Sequence, residues 1–161
     1  MRNLLGELRN TDVLGHANLS AIGLHLAGAD VTLRGRSAER TQQTAEAMGI
    51  GWCGPHDLAP EGAILVNATP VGREHAEASP FTEREIASAS AIVDMVYAEH
   101  TTELVARAHE LERPVADGRE VLLHQGIAQF AAFTQRVPPK EAMREALKRW
   151  NVIARSPTLG E

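Results

Sequence analysis

The sequence predicts an α/β fold: a doubly wound parallel sheet of about six strands, with helices on both faces and a helical segment at the carboxyl end. Short and continuously apolar runs recur along the chain, which is typical of strands covered on both faces. Between these runs lie segments of roughly 10 to 25 residues with helical patterns, which favour βαβ units. A fold of this class binds its ligand at the carboxyl ends of the strands.

The six expected strands are the most apolar short runs, at residues 12–14, 31–33, 50–53, 63–66, 91–93 and 114–116. Capping residues delimit the helices between them. Gly28 ends the first helix, and Ser37 and Gly49 bracket the second. Thr82 begins a capping box, and Thr101 or Thr102 caps the next helix.

The pattern becomes helical after the sixth strand. Residues from about 119 to 134 predict one amphipathic helix, with one side formed by Val121, Leu122, Gln125, Ala128 and Ala132. Pro139 suits the first turn of a last helix that ends near Trp150. We therefore expect one domain over residues 1–150 and a frayed tail over residues 151–161.

Composition excludes several classes of protein. With 161 residues, 43% of them hydrophobic, the chain is long enough for one well-packed core. The net charge of -5 and the absence of a basic block exclude nucleic acid as an expected partner. No apolar run approaches the roughly 18 residues of a membrane span. Cys53 is the only cysteine and no H-x-x-x-H pair occurs, so we expect a cytoplasmic protein without a metal site.

The turn at residues 15–20 lies where a dinucleotide-binding fold receives a pyrophosphate. It reads G-x-A-x-x-S, so that Gly15 keeps its glycine while Ala17 and Asn18 stand in the region that approaches the phosphates. A methyl group at Ala17 would obstruct that approach modestly. An ordinary strand-to-helix turn without a ligand is an equally good interpretation.

The second expected strand ends in a basic segment. NAD-specific folds place an acidic side chain here for the ribose 2′-hydroxyl. This chain instead has Arg36, Ser37 and Arg40, and guanidinium groups match a 2′-phosphate. Arg36 and Arg40 lie four residues apart, so both can reach one anion, which favours NADP. The alternative is a solvated basic helix end.

A third segment of interest, Asn67-Ala-Thr-Pro-Val-Gly72, follows the fourth strand. Such residues form a stiff turn that exposes backbone groups to a ligand, although a turn without a ligand has the same composition.

Four motifs together resemble the carboxyl-terminal half of the shikimate dehydrogenase family, over about residues 10–150. They are the segment at 67–72, Val93-Asp-Met-Val-Tyr97, Asp117-Gly118 through Gln125, and Gln129-Phe130. Their order and spacing match the family, and Gly35-Arg36-Ser37 looks like the family's N-R-T. The resemblance implies a Rossmann-like dinucleotide-binding domain.

The resemblance also implies roles for individual residues, with NADP as the cofactor. The adenosine 2′-phosphate would be held by Arg36, Ser37 and Arg40. Asn67 and Thr69 would line the path from ribose to nicotinamide, and the backbones of Met95 and Gly118 would face the carboxamide. Tyr97 and Gln125 would contact the substrate. A packed aromatic at 97 and a polar residue on an exposed helix face at 125 are the alternatives, and Asp94 is assigned to structure.

In the family, a preceding substrate-binding domain supplies the catalytic lysine and aspartate. This chain has only Lys140 and Lys148, both in the last helical region, so no catalytic residue is assigned to it. The family's methionine near the nicotinamide is Val121 here.

Three hypotheses follow. The chain is the NADP-binding part of an oxidoreductase that interconverts 3-dehydroshikimate and shikimate, a nucleotide-binding or regulatory module without catalysis, or part of another enzyme completed by a partner. Apolar residues lining the cleft near Val71, Val96 and Val121 predict self-association or a protein partner.

Overall fold

The computed structural model describes residues 16–153, and it places the side chains of residues 17–149. The α/β class and the parallel pairing of the strands are confirmed. The chain divides into two compact units with the boundary between Ala59 and Pro60. The first predicted strand, at residues 12–14, and Gly15 lie outside the described residues.

The first unit contains α1 (His16–Leu26), β1 (Thr32–Arg34), α2 (Ala38–Met48) and β2 (Gly51–Cys53). Strands β1 and β2 are parallel, with Thr32 opposite Gly51 and Arg34 opposite Cys53. Helix α2 packs against both strands. A small core joins these elements, and it consists of Ala21, Ile22, Val31, Met48 and Ile50.

The helix boundaries of this unit follow from capping. The Ser37 hydroxyl accepts a hydrogen bond from the Arg40 amide at 3.4 Å, and Gly49 ends α2 with a φ of 69°. Gly28 has a φ of 92° and its amide donates to the His25 carbonyl at 2.9 Å. The Ala29 amide donates to Leu24 at 3.0 Å, which completes a Schellman motif after α1.

The second unit contains β3 (Ile64–Asn67), α3 (Glu83–Ser88), β4 (Ala91–Asp94), α4 (Glu103–Glu110), β5 (Val115–Ala116), α5 (Gly118–Thr134) and α6 (Lys140–Ile153). Its sheet has the order β3-β4-β5, and both pairs are parallel. The described residues therefore form five strands, which match the predicted second to sixth strands. Helix α6 continues past the predicted boundary at residue 150.

Capping and aliphatic packing hold the helices of this unit in place. Thr82 and Glu85 form the predicted capping box before α3. Thr102, one of the two predicted caps, accepts from the Val105 amide at 3.3 Å. Helices α4 and α5 pack against β4 and β5. The largest fully buried aliphatic side chains are Ile86, Ile92 and Leu104.

The face predicted for α5 is wrong. Gln125 and Leu122 are exposed, as are Ala128 and Ala132, whereas Leu123 is buried at 3% exposure. Gly118 is in close contact with the segment after β4, and α5 packs against β4 and β5, so contacts with residues distant in sequence constrain which side of the helix is buried. Within residues 16–153, no helix combines the length and apolar character needed to cross a membrane.

Candidate functional site

In the second unit, two polar side chains stand opposite each other at the carboxyl ends of β3 and β4. Asn67 pairs with Asp94 in the strand register, and their exposed fractions are only 1% and 0%. The Asn67 amide nitrogen donates to Asp94 Oδ1 at 2.9 Å and to the Val71 carbonyl at 3.1 Å. Its oxygen accepts from the amide and the hydroxyl of Thr69, at 3.0 and 2.7 Å.

These bonds use all four hydrogen-bonding positions of the Asn67 side chain. The side chain therefore shapes the turn at residues 67–72 and has no polar position left for a ligand. Any contact of Asn67 with a cofactor would be made through its neighbours in the turn.

Asp94 connects three parts of this unit. Its Oδ1 also accepts from the Val96 amide at 3.1 Å, and its Oδ2 accepts from the Thr102 hydroxyl at 2.6 Å. Thr102 is the cap of α4, so one buried carboxylate links the end of β4, the turn after β3 and the start of a helix. The assignment of Asp94 to structure agrees with this network.

The turn at 67–72 is rigid and lies at the carboxyl edge of the sheet. The Val71 amide donates to the Thr69 hydroxyl at 3.2 Å. Gly72 has a φ of 95°, and a Cβ there would lie 3.2 Å from the Thr102 methyl. His100 Nε2 donates to the Gly72 carbonyl at 2.9 Å. Thr69 is exposed, so the turn presents its surface to solvent while its base is fixed.

Two more predicted residues, Met95 and Gly118, lie at the carboxyl ends of β4 and β5, at the same edge of this sheet. The Met95 amide donates to the Asn67 carbonyl at 2.9 Å. Gly118 is buried, and a Cβ on it would overlap the Val96 carbonyl oxygen and lie 2.9 Å from the Tyr97 amide nitrogen. The main chain of α5 therefore touches the segment after β4. A cavity of about 150 Å³ opens beside Gly118.

The predicted substrate residues stand in different surroundings. Tyr97 is half-buried and adjoins Gly118, whereas Gln125 is exposed on α5. Two helical turns separate Gln125 from Gly118, a distance of roughly 10 Å along the axis. The amides of Arg119 and Glu120 are both capped by Asp117 Oδ1 at 3.0 Å.

In the first unit, Ala17 and Asn18 of the predicted pyrophosphate turn are both half-buried. Both residues lie in α1, whose described residues are His16–Leu26. Alanine, asparagine and leucine all tolerate helical backbone, so residues 17–19 are compatible with their place in the helix.

The basic segment is well formed. Arg36, Ser37 and Arg40 are all exposed, and they surround the amino terminus of α2 directly after β1. Thr41 donates to the Ser37 carbonyl at 2.7 Å, and a Cβ on Gly35 would lie 2.6 Å from the Thr41 hydroxyl. Glu39 lies in the same helical turn, so one carboxylate stands among the basic side chains.

Among residues with described side chains, no group of three or more His, Cys, Asp or Glu could hold a metal ion.

A family model described as the shikimate 5′-dehydrogenase C-terminal domain matches residues 118–148. The shikimate dehydrogenase (NADP(+)) of Natronomonas pharaonis is 33% identical over 138 residues, which cover 83% of this chain and 52% of that protein. The chain spans about half the length of the curated relatives it matches.

Solved structures agree with this similarity. Shikimate 5-dehydrogenase from Thermus thermophilus, in complex with NADP(H) and shikimate, has a TM-score of 0.67 and 30% identity, covering 80% of this chain and 49% of that chain. Ligand-free 5-ketofructose reductase of Gluconobacter sp. has a TM-score of 0.74 over 92% of this chain and 62% of that chain. Because its identity is only 21%, that match concerns the fold alone.

Proposed function

We propose that this chain, which is similar to shikimate dehydrogenases over about half of their length, is the NADP-binding part of a dehydrogenase acting on shikimate. The overall reaction converts shikimate and NADP⁺ to 3-dehydroshikimate, NADPH and a proton.

The observation that carries the proposal is the basic amino terminus of α2. Arg36 and Arg40 are exposed beside the Ser37 cap, directly after the carboxyl end of β1. A helix amino terminus attracts anions, and guanidinium groups form paired hydrogen bonds with phosphate oxygens. NADPH carries a 2′-phosphate that NADH lacks, so this segment favours NADPH. Ala17 and Asn18 would approach the pyrophosphate from the first turn of α1, together with Gly15.

The residues proposed to bind the nicotinamide end of the cofactor belong to the second unit. The exposed Thr69 would face the nicotinamide ribose, and Asn67 would act by holding the turn in shape. The main-chain groups of Met95 and Gly118 lie at the carboxyl ends of β4 and β5, where the carboxamide would bind. A bound NADP⁺ would accept hydride from the substrate carbon.

Substrate contacts from this chain would come from the Tyr97 phenol and the Gln125 amide, both of which can bond hydroxyl groups. Transfer of a hydride from a secondary alcohol also requires an acid or base near the carbinol oxygen. The lysines of this chain, Lys140 and Lys148, both lie on α6. We therefore assign that role to the half of the full-length relatives that this chain does not match.

A non-catalytic nucleotide-binding module is the second candidate, and Ala17 in the pyrophosphate region favours it. Supplementing the protein with the amino-terminal half of a relative distinguishes the two. Turnover of shikimate that falls in Gln125→Ala supports the dehydrogenase, and binding of NADPH without turnover supports the module.

The location and the partner also remain predictions. The cytoplasmic location rests on the lone Cys53. Self-association or a protein partner stays a prediction, but its premise changes, because Val96 is 5% exposed and Val71 and Val121 are half-buried and do not form a bare apolar face. Sedimentation that detects only monomer would contradict self-association.

Removing the guanidinium of Arg36 tests the cofactor proposal. In Arg36→Ala we expect the Kd for NADPH to rise about tenfold or more while the Kd for NADH stays the same, because only NADPH has the 2′-phosphate. Arg136→Ala is the control, since it removes another exposed arginine charge, one that lies in the second unit. Equal losses in both variants would indicate only long-range attraction, and unchanged NADPH affinity in Arg36→Ala would contradict the assignment.

A further inference from the structure

The carboxyl ends of β1 and β2 lie side by side in the first unit. The strands are parallel and Arg34 stands opposite Cys53, so residues 35–37 and 54–57 leave the sheet at the same edge. The first of these segments carries Arg36 and Ser37 of the proposed 2′-phosphate site. The second is therefore its neighbour at the edge where α/β folds bind ligands.

Arg34, the last residue of β1, is hydrogen-bonded to the segment that follows β2. Its Nη1 donates to the Asp57 carbonyl at 2.7 Å, and the residue is half-buried. A guanidinium offers a rigid fork of donors, so this bond fixes both the arginine and the chain it holds. Arg34 thus differs from Arg36 and Arg40, which are exposed.

The turn at residues 54–57 is also closed on itself. The Gly54 amide donates to Asp57 Oδ2 at 2.7 Å, and the Asp57 amide donates back to the Gly54 carbonyl at 3.2 Å. Pro55 and His56 occupy the two central positions, and both are exposed. The rings of Pro55 and His56 are therefore exposed at the edge of the sheet where α/β folds bind ligands, and the hydrogen bond from Arg34 anchors the turn that carries them.

From this arrangement we infer that Arg34 is a positioning residue, which holds the turn at 54–57 as a wall of the adenosine site. The inference rests on the proposed function and extends it from the 2′-phosphate to the adenine. Planar side chains and apolar ring surfaces suit an adenine base. The wall would contribute equally to NADPH and NADH, since their adenine is the same.

The test compares Arg34→Met, which keeps an unbranched stem, with Arg36→Ala and the control Arg136→Met. The Kd values for NADPH and NADH are measured at several salt concentrations. We expect Arg34→Met to weaken both dinucleotides by a similar factor, about three- to tenfold, with a change in salt dependence much smaller than in Arg36→Ala. Asp57→Ala, which opens the same turn, should reproduce this pattern.

The hydrogen-exchange rate of the Gly54 amide, which is bonded within the turn, tests the positioning role of Arg34 in the ligand-free protein. This amide should exchange faster in Arg34→Met than in the wild type, and unchanged exchange would overturn the positioning role. Selective loss of NADPH affinity with a weaker salt dependence would make Arg34 a phosphate ligand instead.

The binding outcomes also separate this inference from the proposed function. Normal wild-type binding with unchanged affinities in Arg34→Met overturns the inference alone. Wild-type protein that binds neither dinucleotide overturns the proposed function and the adenosine wall with it.

Discussion

Replacing Gly118 with alanine is expected to lower the free energy of unfolding by about 3 kcal/mol or more. The new Cβ would overlap the Val96 carbonyl oxygen and lie 2.6 Å from its carbon, both of which are main-chain atoms. A flexible side chain could move aside, but here either α5 or the segment after β4 must shift. Chemical denaturation of the two proteins measures the difference.

Gly23→Ala is the matched control, because Gly23 lies within α1 and a Cβ there would meet nothing within 4 Å. The same substitution should raise stability by about 0.5 to 1 kcal/mol, since alanine favours helix more than glycine does. Equal effects of the two substitutions would contradict the close contact between Gly118 and Val96.

Asp94→Ala is expected to cost about 3 to 5 kcal/mol of folding free energy. The carboxylate is fully buried and accepts from the Asn67 amide, the Val96 amide and the Thr102 hydroxyl. Without it, these donors lose their acceptor in a place that water does not reach. The turn at 67–72 should loosen as well, so the affinity for NADPH should fall together with stability.

Asp94→Asn gives a graded comparison. An asparagine oxygen can still accept from Asn67 and Val96, and its amide can donate to the Thr102 hydroxyl, so we expect a smaller loss of about 1 to 2 kcal/mol. Thermal unfolding of both variants checks this order. If alanine and asparagine were equally tolerated, the network would not have the role that its burial implies.

Local chemistry made most element boundaries predictable. Ser37 and Gly49 bracket α2, and Thr82 begins α3, because caps depend on a few neighbouring residues. The five strands in the described residues appear where short apolar runs predicted them, with boundaries shifted by a residue or so. The Schellman motif at Gly28 likewise needed only the local sequence.

Features that depend on distant residues were less predictable. The hydrogen bond between Asn67 and Asp94 joins residues 27 positions apart, and no spacing rule indicates that the asparagine is used internally. The buried face of α5 was predicted wrongly, because its apolar residues are spread around the helix and its contacts with distant residues, such as that at Gly118, are not visible in the sequence. The strand register that places Arg34 beside Cys53 likewise follows only from the folded chain.

The central claim is that this chain binds NADP(H) through the basic start of α2, and direct calorimetric titration of the purified protein with NADPH and then NADH tests it. We predict that NADPH binds at least about tenfold more tightly than NADH, a difference of about 1.4 kcal/mol. Binding of neither dinucleotide, or equal binding of both, would contradict the claim.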